Sequence, residues 1–182
     1  PRDPLATGLL PSARGGATQT ISVVMDGTKS YRCPRCFGEE RTTEDAEGEV
    51  SARSDVRPSD SEMEAVLSQF TGEIEQVPPI YSAIKIDGKR AYDLARADMD
   101  VEMRSRKVTI HKLSLVDCPD ADHAAFQVRC GKGTYIRSLA RDLAVRLGTV
   151  GHVSRLRRTV VGPFTEKHAI SLDSLEALGH SA

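Results

Sequence analysis

The sequence has no tryptophan, and only four tyrosines and four phenylalanines among its 182 residues. Any stacking on a flat ligand must therefore rest on very few side chains. Four cysteines in a chain of this length do not make a disulfide scaffold, so a reducing cytoplasm is the expected compartment. No apolar run approaches the ~18 residues of a membrane span, and the first residues lack the basic-then-apolar layout of a secretory leader. Internal repeats and low-complexity tracts are missing too.

What is present is ordinary in total and uneven in distribution. A hydrophobic content of 39% and a charged content of 28% suit one domain with a real core, or one domain plus a short appendage. The formal charge of −1 hides a segregation. Residues 39–64 carry ten acids against Arg41, Arg53 and Arg57, a net of −7. Residues 129–158 carry eight bases against Asp142 alone, a net of +7. A block so one-sided, in a chain that is not basic overall, points to a local polyanion site, with nucleic acid the first candidate.

The basic block contains the most informative stretch, Gly131-Lys132-Gly133-Thr134-Tyr135-Ile136-Arg137. Two glycines permit a sharp turn, Thr134 is the expected N-cap, and Ile136, Leu139, Ala140, Leu143 and Leu147 recur at helical spacing up to Gly148. Arg137 then falls in the first turn, facing the positive end of the helix dipole at a cost of about 0.3–1 kcal/mol unless an anion offsets it. It is either a solvated arginine or one aimed at a carboxylate or phosphate from elsewhere, and the helix alone leaves both open.

Elsewhere the pattern predicts short elements. Asp3 before Pro4 is held extended, in a loop. Ile21–Met25 reads as a strand, Asp26-Gly27 as a hairpin turn and Ser30–Phe37 as a second strand. Within it, Cys33-Pro34-Arg35-Cys36 is half of a zinc site at most, and Cys118 and Cys130, with eleven residues between them, do not complete it; no metal is expected. Pro34 implies an edge or a bulge, and Cys130 ends an alternating strand as a core residue. Residues 38–58 read as an acidic surface loop, followed by a helix capped by Ser59 or Asp60 and carrying Met63, Val66, Leu67 and Phe70 up to Gly72. The proline-led segment from Val77 to Arg90, with Lys85, Lys89 and Arg90 near Tyr81 and Tyr92, reads either as an exposed connection or, in preference, as a lid over a substrate. Val108 and Ile110, then Leu113 and Leu115, switch parity as a bulged strand would. Thr159–Phe164 is a last strand, and Ser171 caps a helix through Leu178. Strands and helices interleave without a βαβ rhythm, which predicts an α+β domain on a mixed, largely antiparallel sheet flanked by helices.

Four segments together resemble the TruB family of tRNA pseudouridine synthases: Asp3-Pro4-Leu5-Ala6-Thr7-Gly8, Lys29-Ser30-Tyr31-Arg32, the run from Pro78 to Tyr92, and Lys132-Gly133-Thr134-Tyr135-Ile136-Arg137. Phe37-Gly38-Glu39-Glu40, Asp45-Ala46-Glu47-Gly48 and Leu156-Arg157-Arg158 look like the family as well. The resemblance implies that Asp3 is the catalytic nucleophile, that Tyr31 packs on the target base, and that Arg137 pairs with the catalytic aspartate beside Tyr135. It implies that Leu156 lines the pocket and that residues 77–105 form a thumb gripping the T-arm of tRNA. Lys85, Lys89, Arg90, Lys132 and Arg141 are the natural phosphate contacts. It also implies residues 1–170 as a catalytic domain lacking its N-terminal strand region, and 171–182 as the start of an RNA-binding domain.

The chemistry agrees with these roles. Isomerising a T-loop uridine to pseudouridine breaks a C–N glycosidic bond, turns the uracil and rejoins it through carbon, so no cofactor is required. A carboxylate kept ionised by a neighbouring guanidinium suits it. Extruding the base costs a few kcal/mol, which an aromatic platform and a basic surface offset. The expectation is a monomeric, cytoplasmic tRNA-modifying isomerase with no membrane partner; the alternative is a catalytically inactive RNA-binding or tRNA-folding module.

Overall fold

A computed structural model describes residues 5–86, 88–97 and 102–179. Asp3 lies outside them. The first element, β1 (Ala6–Gly8), ends on a glycine at φ +84, so close to the Arg158 carbonyl that any Cβ would collide. That position admits only glycine.

The expected strand at Ile21–Met25 is instead α1 (Ile21–Asp26). A short apolar run does not by itself distinguish helix from strand. Here the outcome goes with a C-terminal cap: Lys29 Nζ donates to the carbonyls of Met25 at 2.6 Å and Gly27 at 2.9 Å. A cation there also complements the helix dipole. Asp26-Gly27 is accordingly not a hairpin turn, and Gly27 packs against Gly162.

β2 (Lys29–Phe37) forms as expected. The predicted acidic loop contains an antiparallel hairpin, β3 (Glu39–Arg41) with β4 (Val50–Arg53). α2 (Asp60–Leu67) begins with a full capping box between Ser59 and Glu62 and buries Met63 and Leu67. β5 (Gly72–Gln76) follows, then a small hairpin of β6 (Lys85–Ile86) and β7 (Lys89–Arg90), and α3 (Ala91–Arg96). β8 (Arg106–Asp120) pairs with β9 (His123–Cys130), and their register shifts between Ile110 and Lys112, which is the predicted change of parity. α4 (Ile136–Arg146) leads to β10 (Gly151–Val153) and β11 (Leu156–Val161). The last strand thus begins earlier than expected, and Gly162 turns it into the separate β12 (Phe164–Thr165). α5 (Leu172–Gly179) closes the chain, with Ser171 Oγ accepting from the Ser174 amide.

The main sheet runs β1-β11-β2-β9-β8-β5, with β10 on β2 and β12 on β11. Among the pairings of that sheet's described strands, β1 with β11 is parallel and the rest are antiparallel, so the domain is α+β on a mixed, largely antiparallel sheet. Pro34 is not on an edge strand but faces a bulge: between the pairs Arg35–Val153 and Arg32–Arg157, β2 has two residues and the partner side three. It stands in interior β2 where β10 has ended and β11 has not begun, so no ladder position there requires its missing N–H. Its carbonyl accepts from the Ser154 and Arg155 amides.

One face of the sheet is the core. Phe37, Phe126, Val128, Ile110 and the expected core residue Cys130 pack under Ile136, Leu139, Ala140 and Leu143 of α4, with Met63 and Leu67 of α2 alongside. Each large side chain so buried contributes roughly 1.5–3 kcal/mol. Thr134 does not cap α4. Tyr135 holds the N-cap position without a side-chain bond, and Thr134 Oγ1 donates to Gly131 O at 3.2 Å. The Tyr135 amide is satisfied by Gln76 Oε1 at 2.8 Å instead.

Arg35 is an exception inside this core. It is 1% exposed, stacks 4.4 Å from the Phe37 ring centroid, and its guanidinium has no hydrogen-bond partner among the described residues. Burial pulls its pKa down to about 9, still above neutral, so the cation stays charged and its desolvation opposes folding. Arg35→Met should therefore stabilise the chain by about 1–4 kcal/mol, read as a rise in melting temperature of several degrees; an unchanged or lower melting temperature would contradict this account of Arg35.

His152 gives a pH signature. It is 4% exposed, with Nδ1 2.9 Å from the Glu39 carbonyl. Burial, aided by Arg41 and Arg35, holds its pKa below the usual 6.5. The unfolded chain then binds the proton first, so this contribution to stability is present above pH 6.5 and is lost as the pH falls through the folded value. Urea unfolding at pH 7.5 and pH ~5.5 should show the loss in wild type and a smaller one in His152→Gln.

Candidate active site

The N-terminal end of α4 meets β1, β2, β11 and the Tyr81–Tyr92 segment around a cleft of about 540 Å³, within the size range of small-ligand sites. The parallel pairing of β1 with β11 sets Ala6 opposite Leu156, and both line the cleft. Register between β2 and β11 sets Tyr31 opposite Arg158. Arg158 is buried and donates from Nε to the Leu9 carbonyl at 2.8 Å. Burial raises the Tyr31 pKa, so the phenol is neutral at physiological pH. Tyr31 thus presents an uncharged ring to the cleft.

Arg137 lies in the first turn of α4 and is 8% exposed. Its Nη1 donates to the Thr43 carbonyl at 2.9 Å and to Asp45 Oδ2 at 3.2 Å, and its Nη2 donates to the Tyr81 carbonyl at 2.8 Å. The anion that offsets the helix dipole here is therefore Asp45. Asp45 is 3% exposed, and its other oxygen accepts from Thr43 Oγ1 at 2.6 Å and the Glu47 amide at 3.1 Å. That Asx turn holds the carboxylate in place under the guanidinium.

The sequence reading named Arg137 but missed Asp45 as a site residue, counting it among the acids of a surface loop. The opposite charges of the two blocks were the available signal. On folding they meet: Arg137 with Asp45, and Arg141 with Glu44 at 2.5 Å. The basic block is thus partly neutralised from within and is not one open phosphate surface.

Of the remaining candidates, Tyr135 and Arg90 line the cleft with Tyr31, Arg137 and Leu156. The Arg106 guanidinium lies 4.9 Å from the Tyr135 ring centroid, and that of Arg90 5.8 Å from the Tyr92 ring centroid. Lys85 and Lys89 are exposed on the small hairpin and do not line the cleft. Lys132 pairs with Asp26 at 3.2 Å. Arg141 also lies outside the cleft, bonded to Glu44, to Asp142 and to the Val77 carbonyl. Cys33 and Cys36, three apart on a strand, point to opposite faces. Among the described residues no cluster of His, Cys, Asp or Glu could hold a metal ion. No helix among them is long and apolar enough to cross a membrane.

Chemically, the site offers an oriented guanidinium, tyrosine rings and an apolar wall at Leu156. It suits a flat, polar group held edge-on to a fixed positive charge.

Residues 2–136 match the family model for the TruB family pseudouridylate synthase N-terminal domain. Residues 137–181 match that for the tRNA pseudouridylate synthase B C-terminal domain. The chain is 58% identical over 180 residues to tRNA pseudouridine synthase B of Rhodospirillum rubrum, covering 99% of this chain and 58% of that protein. It is 58% identical over 176 residues to the protein of the same name from Bradyrhizobium diazoefficiens, covering 97% of this chain and 51% of the relative. It therefore spans between half and three-fifths of the length of these relatives. Among solved structures, a Cbf5-Nop10-Gar1 complex aligns with a TM-score of 0.73 at 27% identity, over 98% of this chain and 44% of that one. An H/ACA RNP bound to a substrate RNA shares the fold at a TM-score of 0.70 and 23% identity, over 98% of this chain and 43% of that one. With more than half of its residues matched by the first of those family models, this chain belongs to the TruB family of pseudouridylate synthases.

Proposed function

We propose that the chain isomerises a uridine in the T loop of tRNA to pseudouridine, with Asp3 as the nucleophile on a flipped-out base. The observation that carries this reading is the cleft in which Tyr31, Tyr135 and Leu156 surround the nearly buried Arg137. Asp3 precedes Ala6, a residue of the cleft wall, by three positions, a reach of about 10 Å at most. Arg137 keeps the Asp3 carboxylate ionised and oriented. The carboxylate attacks C1′ of the ribose or stabilises the positive charge there as the bond to N1 breaks. The uracil turns between Tyr31 and Leu156, C5 bonds to C1′ as any carboxylate–C1′ bond breaks and frees the Asp3 carboxylate, the C5 proton leaves, and N1 gains a proton. Substrate and product are isomers, so the balance needs no cofactor.

The tRNA assignment is supported by the names of the relatives. Residues 77–105 are the part we assign to gripping the T-arm, with Lys85, Lys89 and Arg90 on its hairpin as phosphate contacts; residues 87 and 98–101 of it lie outside those described.

Asp3→Asn should lower pseudouridine formation on a T-arm stem-loop RNA to below about one-thousandth of wild type while leaving RNA affinity nearly unchanged. Equal activity would remove Asp3 as nucleophile. Asp45→Asn should cost about 10²-fold in the single-turnover rate, because Arg137 loses the charge that orients it. A rate within twofold of wild type would show that Asp45 does not govern Arg137.

A further inference from the structure

The segment that follows β5 is tied to α4 at a series of points. The Gln76 side chain bridges Tyr135, accepting from its amide at 2.8 Å and donating to its carbonyl at 3.0 Å. One residue on, the Val77 carbonyl accepts from Arg141 Nη2 at 2.9 Å, and then the Tyr81 carbonyl accepts from Arg137 Nη2. On its way back into the sheet the chain is held again, by Arg106 donating to the Gly133 carbonyl. The segment bearing Tyr81, Arg90 and Tyr92 thus leaves and re-enters the domain against residues 133–141.

Arg137 and Arg141, one helical turn apart, repeat one pattern. Each bonds a carboxylate of the acidic loop and a carbonyl of the Val77–Tyr81 segment: Asp45 with Tyr81 for the first, Glu44 with Val77 for the second. Glu44 has φ +62, a left-handed conformation uncommon for a non-glycine residue, and this turn brings adjacent carboxylates to adjacent arginines. A rigid planar fork holds both partners in one set geometry, which an ammonium on a flexible stem does not fix.

We propose that Arg141, held by Glu44, is a positioning residue of the isomerisation: from outside the cleft it fixes the Val77–Tyr81 segment on α4, and so sets the spacing between the wall that carries Tyr81 and the side chain of Arg137. The inference rests on the isomerase reading. It reassigns Arg141 from a phosphate contact to an internal clamp. Removing the clamp leaves the RNA-facing surface in place but lets the two walls drift, and a misplacement of about 1 Å can cost up to about 10²-fold in rate.

The test uses the full chain and a T-arm stem-loop RNA, with single-turnover pseudouridine formation, RNA Kd and melting temperature measured for wild type, Arg141→Lys and Glu44→Gln. The expected result is a rate at least about 10-fold lower in both variants, with Kd within about twofold and melting temperature little changed. Glu44→Gln decides the matter if Arg141→Lys does not fold. Rates equal to wild type overturn the clamp and leave the isomerase reading standing. Rate, Kd and melting temperature falling together also overturn it, because the pair is then only structural. No product from wild type overturns the isomerase reading, and the clamp with it.

Discussion

The structure depends on how one guanidinium is held. Arg137 enters α4 at the end where a cation is disfavoured, and it is nearly buried. Such a charge persists only when paired and hydrogen-bonded. Asp45 and the Thr43 carbonyl, from the acidic loop, and the Tyr81 carbonyl, from the segment after β5, meet that requirement. Satisfying one side chain therefore organises three parts of the chain around the cleft. The cost of the helix dipole becomes a means of fixing a positive charge where chemistry can use it.

Much of this was legible in residues. Helical spacing found α4 and α2, and the parity switch found the bulge of β8. The interleaving of elements gave the fold class. What escaped was decided by side-chain partners that periodicity does not show, some local and some distant. Ile21–Met25 resembles a strand until Lys29 closes it as a helix. Thr134 looks like a cap until Gln76, far away in sequence, takes the Tyr135 amide.

The site was legible unevenly for the same reason. Tyr31, Tyr135, Arg137 and Leu156 stood in recognisable motifs and do converge. Asp45 also stood in a family-like run, Asp45-Ala46-Glu47-Gly48, but composition does not say which of ten acids turn inward, and its role in the site was missed. The charge count suggested an open polyanion surface, whereas folding sets the acidic loop against α4. Arg141 illustrates the consequence: a base counted as an RNA contact bonds Glu44 and the Val77 carbonyl. The cations of the β6–β7 hairpin stay exposed.

The central claim is that a carboxylate from the first residues of the chain meets Arg137 inside the cleft. A crystal structure of the chain with a T-arm stem-loop bound measures this directly. The account predicts an Asp3 carboxylate within about 4 Å of the Arg137 guanidinium, the distance of an ion pair, beside a uridine seated against Tyr31. An Asp3 carboxylate more than about 10 Å away, with the uridine elsewhere, would contradict it.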